Sequence, residues 1–218
     1  LVRGAAQLLG SPARRRRRAA LMLALERHGG VATVRLDRPE RGNALGATLV
    51  ERLIEAVEAS SADATVHTLV LAGAGRHFCT GFDLADLDTC SDGDLLLRFV
   101  RVETLLAALW HAPVRTACVA AGRTWGAGAD LLAACDERVA VEGASFRFPG
   151  PAFGIVLGTR RLAERIGADR AREIVTQGLE LDAPAALAAG LGGRILPAAA
   201  VPAWLEALAP PVPDRDTV

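Results

Sequence analysis

Gly122-Arg123-Thr124-Trp125-Gly126-Ala127-Gly128-Ala129-Asp130-Leu131-Leu132-Ala133-Ala134-Cys135-Asp136 is the stretch on which the reading of this chain turns. A β-rich segment, residues 116–121, runs into it, and small residues then open a helix near Ala127 or Gly128. Glycines here let the backbone approach a ligand closely, and the first helical turn carries N–H groups without internal partners. Together with the helix dipole they make a positive spot suited to an oxygen that gains negative charge in a reaction. One turn on, Asp130 adds a carboxylate to the same structure. Taken alone, the same glycines also fit a turn that merely packs a helix onto a sheet.

At 218 residues the chain suffices for one sizeable core, so one domain with decorations is expected. Half of it is hydrophobic (51%) but only 4% is aromatic, so Ala, Leu and Val must build the interior. A formal net charge of zero argues against a nucleic-acid partner for the body of the protein. No run approaches the roughly 20 apolar residues that cross a bilayer, so no membrane partner is expected. Cys79, Cys90, Cys118 and Cys135 show neither CxxC nor metal-ligand spacing and read as reduced thiols of a cytoplasmic protein, with no metal site.

Residues 1–21 differ from the rest, with five consecutive arginines at 14–18. A basic arm that contacts nucleic acid is one reading of this leader. The preferred one is a disordered or non-native leader, because Met22, the only methionine, stands immediately before the first patterned strand. From there residues 23–27 and 31–36 read as a β-hairpin around His28-Gly29-Gly30. A helix follows at about 46–60, with Leu49, Leu53, Ile54 and Val57 at helical spacing. Residues 68–72 form a short apolar run suited to a strand buried on both faces. Gly73-Ala74-Gly75 after it invites a dinucleotide-site reading, but Phe78 stands where the third glycine belongs and no helix starts there. Residues 94–110 read as an amphipathic helix, 137–141 as a strand, and 159–178 and 183–189 as helical. The alternation indicates an α/β domain.

Four pieces in this order resemble the crotonase superfamily, also called the enoyl-CoA hydratase/isomerase family. They are Arg38-Pro39-Glu40-Arg41-Gly42-Asn43-Ala44-Leu45, Phe78-Cys79-Thr80-Gly81-Phe82-Asp83-Leu84, the opening stretch, and Ala144-Ser145-Phe146 with Pro149, Gly154, Gly158 and Arg161-Leu162. Ala185-Ala186-Leu187-Ala188-Ala189-Gly190-Leu191 is a further echo. The likeness implies a spiral of β-β-α units over residues 22–200 with a helical C-terminal part, here cut short by a proline-rich tail at 201–218. It implies a homo-trimer or hexamer in fatty acid metabolism that binds acyl-CoA, with coenzyme A as part of the substrate and no permanently bound cofactor. Residue by residue, it makes the backbone N–H groups of Phe82 and Ala127 an oxyanion hole and Asp130 the catalytic acid/base. Arg41, Asn43, Ala44, Gly81, Asp83, Leu84 and Gly126 would border the substrate and its coenzyme.

The chain departs from the family pattern where hydratases carry a second glutamate, since Gly150 stands there and cannot transfer a proton. That favours one-carboxylate chemistry (isomerisation, thioester hydrolysis or decarboxylation) over hydration, with a catalytically impaired subunit that binds acyl-CoA or a protein partner as the alternative. Asp136 reads as a backbone cap, His77 as structural, and Arg147 as a cation able to pair with Asp130 and lower its pKa.

Overall fold

A computed structural model describes residues 22–208 apart from 86, 156 and 157. The leader expected at 1–21, and residues 209–218 of the proline-rich end, lie outside the described residues. In chain order the elements are β1 (Leu23–His28), β2 (Val31–Leu36), α1 (Ala47–Ala62), β3 (Thr68–Gly73), α2 (Asp92–Trp110), β4 (Arg115–Ala120), β5 (Arg123–Trp125) and α3 (Ala127–Ala134). They continue with β6 (Glu137–Val141), β7 (Ser145–Arg147), α4 (Thr159–Ile166), α5 (Ala168–Gln177), β8 (Glu180–Asp182), α6 (Ala183–Ala188), β9 (Arg194–Leu196) and α7 (Val201–Glu206).

A six-stranded sheet runs in the order β1-β2-β3-β4-β6-β9, parallel except for the opening hairpin. The apolar run of β3 is buried on both faces, as its composition demands. Leu69 and Leu71 face the main core with Leu49 and Leu53 of α1 and Leu105 and Leu109 of α2. Val70 and Ala72 face the other side, where Val119 and Val139 meet Trp204 of α7 and Leu208. Residues 201–208, the start of the stretch expected to be a tail, thus cover a sheet face, because Trp204 and Leu208 remove apolar area from water there.

The second strands of the repeating units build a smaller sheet, β5-β7-β8, with strands of three residues each. Parallel bridges extend the same layer to earlier turns of the spiral, pairing Leu45 with Phe82 and Cys79 with Thr124. This register positions the site. Phe82 lies three residues beyond Cys79 and Ala127 three beyond Thr124, so the pairing brings the two side by side. The next rung pairs Thr124 with Phe146, and the same offset leads to Pro149.

Close approach of successive turns requires small residues. Gly128, in the first turn of α3, faces the turn after β3. A Cβ on it would fall on the Cys79 carbonyl oxygen and lie 2.9 Å from the Cys79 Cβ. Gly128→Val is therefore expected to destabilise the protein by about 3 kcal/mol, the upper end for overpacking. Thermal unfolding should show Tm lowered by roughly 6–12 °C; an unchanged Tm would contradict this packing.

Candidate active site

The junction of β5 and α3 explains how two donors are left free. Gly126 caps α3 at φ 52° and ψ −128°, a conformation that suits glycine and turns the helix's first N–H groups toward the neighbouring turn. The N–H of Ala129 (2.8 Å) and that of Asp130 (3.0 Å) both donate to the Gly126 carbonyl. Neither the Ala127 N–H nor the Phe82 N–H donates to any acceptor of the described chain. Gly81, Phe82, Gly126 and Ala127 line one cavity of about 370 Å³. A Cβ built on Gly81 would lie 3.5 Å from the Ala127 nitrogen, so the two donor segments are in direct contact.

The rest of that cavity is mostly apolar, lined by Leu84 and Leu87, by Leu95, Phe99 and Val102 of α2, and by Phe148 and Phe153. Phe82 stacks on Phe99 with ring centroids 4.9 Å apart. Leu84 and Phe153 remain more than half exposed at the rim (51% and 63%). Among the described lining residues, Asp130 alone carries an ionisable side chain.

Asp130 is 5% exposed, and its Oδ1 has no hydrogen-bond partner. Burial holds this carboxyl well above the usual carboxylate range; the nearby Arg161 guanidinium pulls the other way and Glu103 adds to the rise. A carboxyl so placed keeps its proton to higher pH than an ordinary aspartate and is suited to give or take it. Gly158, the N-cap of α4, lies against the carboxyl, where a Cβ would fall on the carboxylate itself.

Six of the expected site residues therefore meet at this cavity: Gly81, Phe82, Leu84, Gly126, Ala127 and Asp130. The other four do not line it. Asn43 is fully buried and holds a turn. Its Nδ2 donates to the carbonyls of Ala74 (3.0 Å) and His77 (2.7 Å), and its Oδ1 accepts from the Arg38 N–H (2.8 Å). Asn43 also stands at φ 55°, which asparagine tolerates better than most residues. Ala44 is buried beside it and its carbonyl accepts from Arg38 Nη1 at 3.1 Å. Asp83 binds Arg38 and Arg41, each at 3.3 Å. Burial raises the Asp83 carboxyl, but the Ala85 N–H and the two guanidiniums outweigh it and leave the group below the usual range. Asn43→Ala is expected to cost about 2–4 kcal/mol, from two part-buried carbonyls left without this donor and a strained backbone. Asn43→Gly should recover the backbone share in denaturant melts, and equal losses in the two variants would refute that division.

Arg147 does not pair with Asp130, contrary to the expectation. It lies over Trp125, with Nε donating to the Gly178 carbonyl at 3.1 Å; the cation near Asp130 is Arg161 of α4. His77 accepts the Arg123 N–H through Nδ1 at 3.0 Å, and burial with Arg76 and Arg123 nearby lowers its pKa. Asp136 caps the start of β4, accepting from the Thr116 N–H and hydroxyl, both at 2.9 Å. Cys79 sits under the site, with burial pushing its thiol up to about 12. Sequence reasoning missed Leu95, Phe99 and Val102; the signal was an α2 apolar stripe too wide for one core contact, with Leu96 and Leu97 on it as well.

Residues 26–209 match the family model described as Enoyl-CoA hydratase/isomerase. The chain belongs to this family. Over 190 residues it is 38% identical to "Probable enoyl-CoA hydratase echA6" of Mycobacterium leprae, covering 84% of this chain and 74% of the relative. Mouse ethylmalonyl-CoA decarboxylase is 31% identical over 178 residues, 79% of this chain and 55% of the relative. A solved structure from Bordetella parapertussis, assigned as an enoyl-CoA hydratase/isomerase, superposes with a TM-score of 0.84 at 46% identity, covering 87% of this chain and 79% of that one. The spiral of β-β-α units is thus the crotonase fold, and the chain is an enzyme-family member whose relatives are named for acyl-CoA chemistry.

Proposed function

We propose that the protein acts on an acyl-CoA thioester, stabilising a thioester enolate with the N–H groups of Phe82 and Ala127 while Asp130 moves a proton at the adjacent carbon. The observation that carries this reading is the pairing of two free backbone donors with one buried, protonatable carboxyl in an otherwise apolar cavity. Preorganised donors matter most where charge develops, and exclusion of water strengthens each of them. An apolar wall suits a hydrocarbon acyl tail, and the exposed Leu84 and Phe153 suit its entry. Arg41, half exposed and shared with Asp83, is the nearest candidate among the coenzyme-binding residues for a phosphate.

The reaction class follows from Gly150. Gly150 lines the cavity where a second acid would be required for paired-carboxylate hydration, and a Cβ on it would collide with the Ile155 carbonyl oxygen. One carboxyl can shuttle a proton between carbons, or serve a decarboxylation by protonating the enolate left after CO₂ departs. Isomerisation, thioester hydrolysis or decarboxylation are therefore favoured over hydration, and the mouse relative's name includes the last of these. Incubation with a panel of enoyl-, acyl- and carboxyacyl-CoAs, followed by product masses and by ¹H NMR of the double-bond position, tests this. Double-bond migration without mass change, release of free acid, or loss of CO₂ is expected. Rapid gain of water on crotonyl-CoA would contradict it, and binding without turnover on any thioester would leave an impaired binding subunit as the better account.

A further inference from the structure

Asp130 shares its low-dielectric site with a cation that it does not bind. Arg161 gives both terminal nitrogens to Glu103 of α2, Nη1 to Oε2 at 3.1 Å and Nη2 to Oε1 at 2.8 Å. Its Nε is buried without a hydrogen-bond partner, and so is Asp130 Oδ1; among the described residues the two form no ion pair. A buried carboxylate beside a free guanidinium would be strongly drawn to it, since the attraction grows as the dielectric falls. Something must hold the guanidinium off. The planar fork of arginine is gripped best at two points, and Glu103, still 46% exposed, offers both of its oxygens from the solvent side.

We infer that Glu103 is a positioning residue: by clamping both ends of Arg161, it keeps the guanidinium from closing onto Asp130 and so leaves that carboxyl able to carry a proton. The inference rests on the proposed acid/base role for its functional meaning, but not for its physical content. The other charged or titratable groups around Asp130 do not replace the clamp. Cys79 is a buried thiol that stays neutral, and Arg165 of the same helix is spent on the carbonyls of Ala133 and Cys135 at the far end of α3. Without Glu103, Arg161 has one partner left to seek.

The test is a titration of the Asp130 side-chain carboxyl carbon by NMR in the full chain labelled with ¹³C-aspartate, assigned by its loss in Asp130→Asn. In the native protein the midpoint is expected well above that of an ordinary aspartate. In Glu103→Gln it should fall by about one to three pH units, the usual effect of a close arginine on a carboxylate. Loss of Glu103's own charge would also lower the midpoint, so the deciding comparison is Glu103→Gln in an Arg161→Gln background. There the clamp has nothing to hold, and the substitution should move the midpoint by only a few tenths of a unit. An equal fall in both backgrounds, or no fall in Glu103→Gln, would overturn the inference. Should Arg161→Gln not fold, Glu103→Asp in the native background serves: its shorter arm reaches one nitrogen, and a midpoint as high as the native one would contradict the clamp. A native midpoint that behaves as described while Asp130→Asn leaves turnover intact would instead remove the proposed function and spare the clamp.

Discussion

Asp130→Asn is expected to lower turnover of the active thioester by about 100- to 10,000-fold, the range for loss of a positioned acid/base, with acyl-CoA binding nearly unchanged. Asparagine keeps the shape of the side chain against Gly158 and cannot exchange a proton, so the loss reports chemistry and not packing. The same substitution should stabilise the fold. The folded-state pKa of Asp130 is raised above that of the unfolded chain, about 3.9. Between those two values the folded state binds more protons than the unfolded one, so Asp130's contribution to stability falls as pH rises through the window. Tm of the variant should match the native protein near pH 3 and exceed it increasingly from about pH 4 upward, until Asp130 itself ionises in the fold. Lower activity with higher stability marks a residue kept for function at a cost to the fold. Equal Tm values at pH 3 and pH 7 would contradict the burial argument.

Ala127→Pro is expected to cost about 100- to 1000-fold in kcat, the range for removal of one oxyanion donor. Proline lacks the N–H that is proposed to face the enolate oxygen. Ala127 is the first residue of α3, where proline fits the helical φ, and its N–H has no acceptor within the described chain to lose. Stability should therefore change by less than about 1 kcal/mol, and thermal melts alongside single-turnover kinetics separate the two effects. Unchanged kcat in a folded variant would remove Ala127 from the oxyanion hole. Phe82 offers no such clean substitution, because it sits inside a backbone bridge with Leu45.

Much of the architecture was legible because each element carries its own period. The β1–β2 hairpin, the doubly buried β3 and helices α1 and α2 follow from strand alternation, an apolar run and helical spacing. The glycine pattern around Ala127 pointed to a helix start with free N–H groups, and Asp130 was placed on it. The small sheet was not legible, since three-residue strands such as β5, β7 and β8 contain too few positions to show a period. Yet that sheet's register is what sets Phe82 beside Ala127. Charge pairing was equally hidden. Arg147 stands close to the site in sequence but lies on Trp125, whereas Arg161 and Glu103, 58 residues apart, meet beside Asp130. The resemblance implied a groove role for Asn43; what the sequence did not show is that its amide satisfies two part-buried carbonyls of the turn after β3. Polar residues in loops close turns as readily as they bind ligands.

Hydrogen–deuterium exchange at the carbon next to the thioester tests the central claim most directly, since it requires enolate formation and nothing further. A saturated acyl-CoA incubated with the protein in D₂O should gain one mass unit as Asp130 removes the proton and returns a deuteron. The rate should rise with pH through the raised Asp130 pKa, vanish in Asp130→Asn, and fall about 100- to 1000-fold in Ala127→Pro. Uptake that persists undiminished in Asp130→Asn, or no uptake by the native protein from any acyl-CoA that binds, would contradict it.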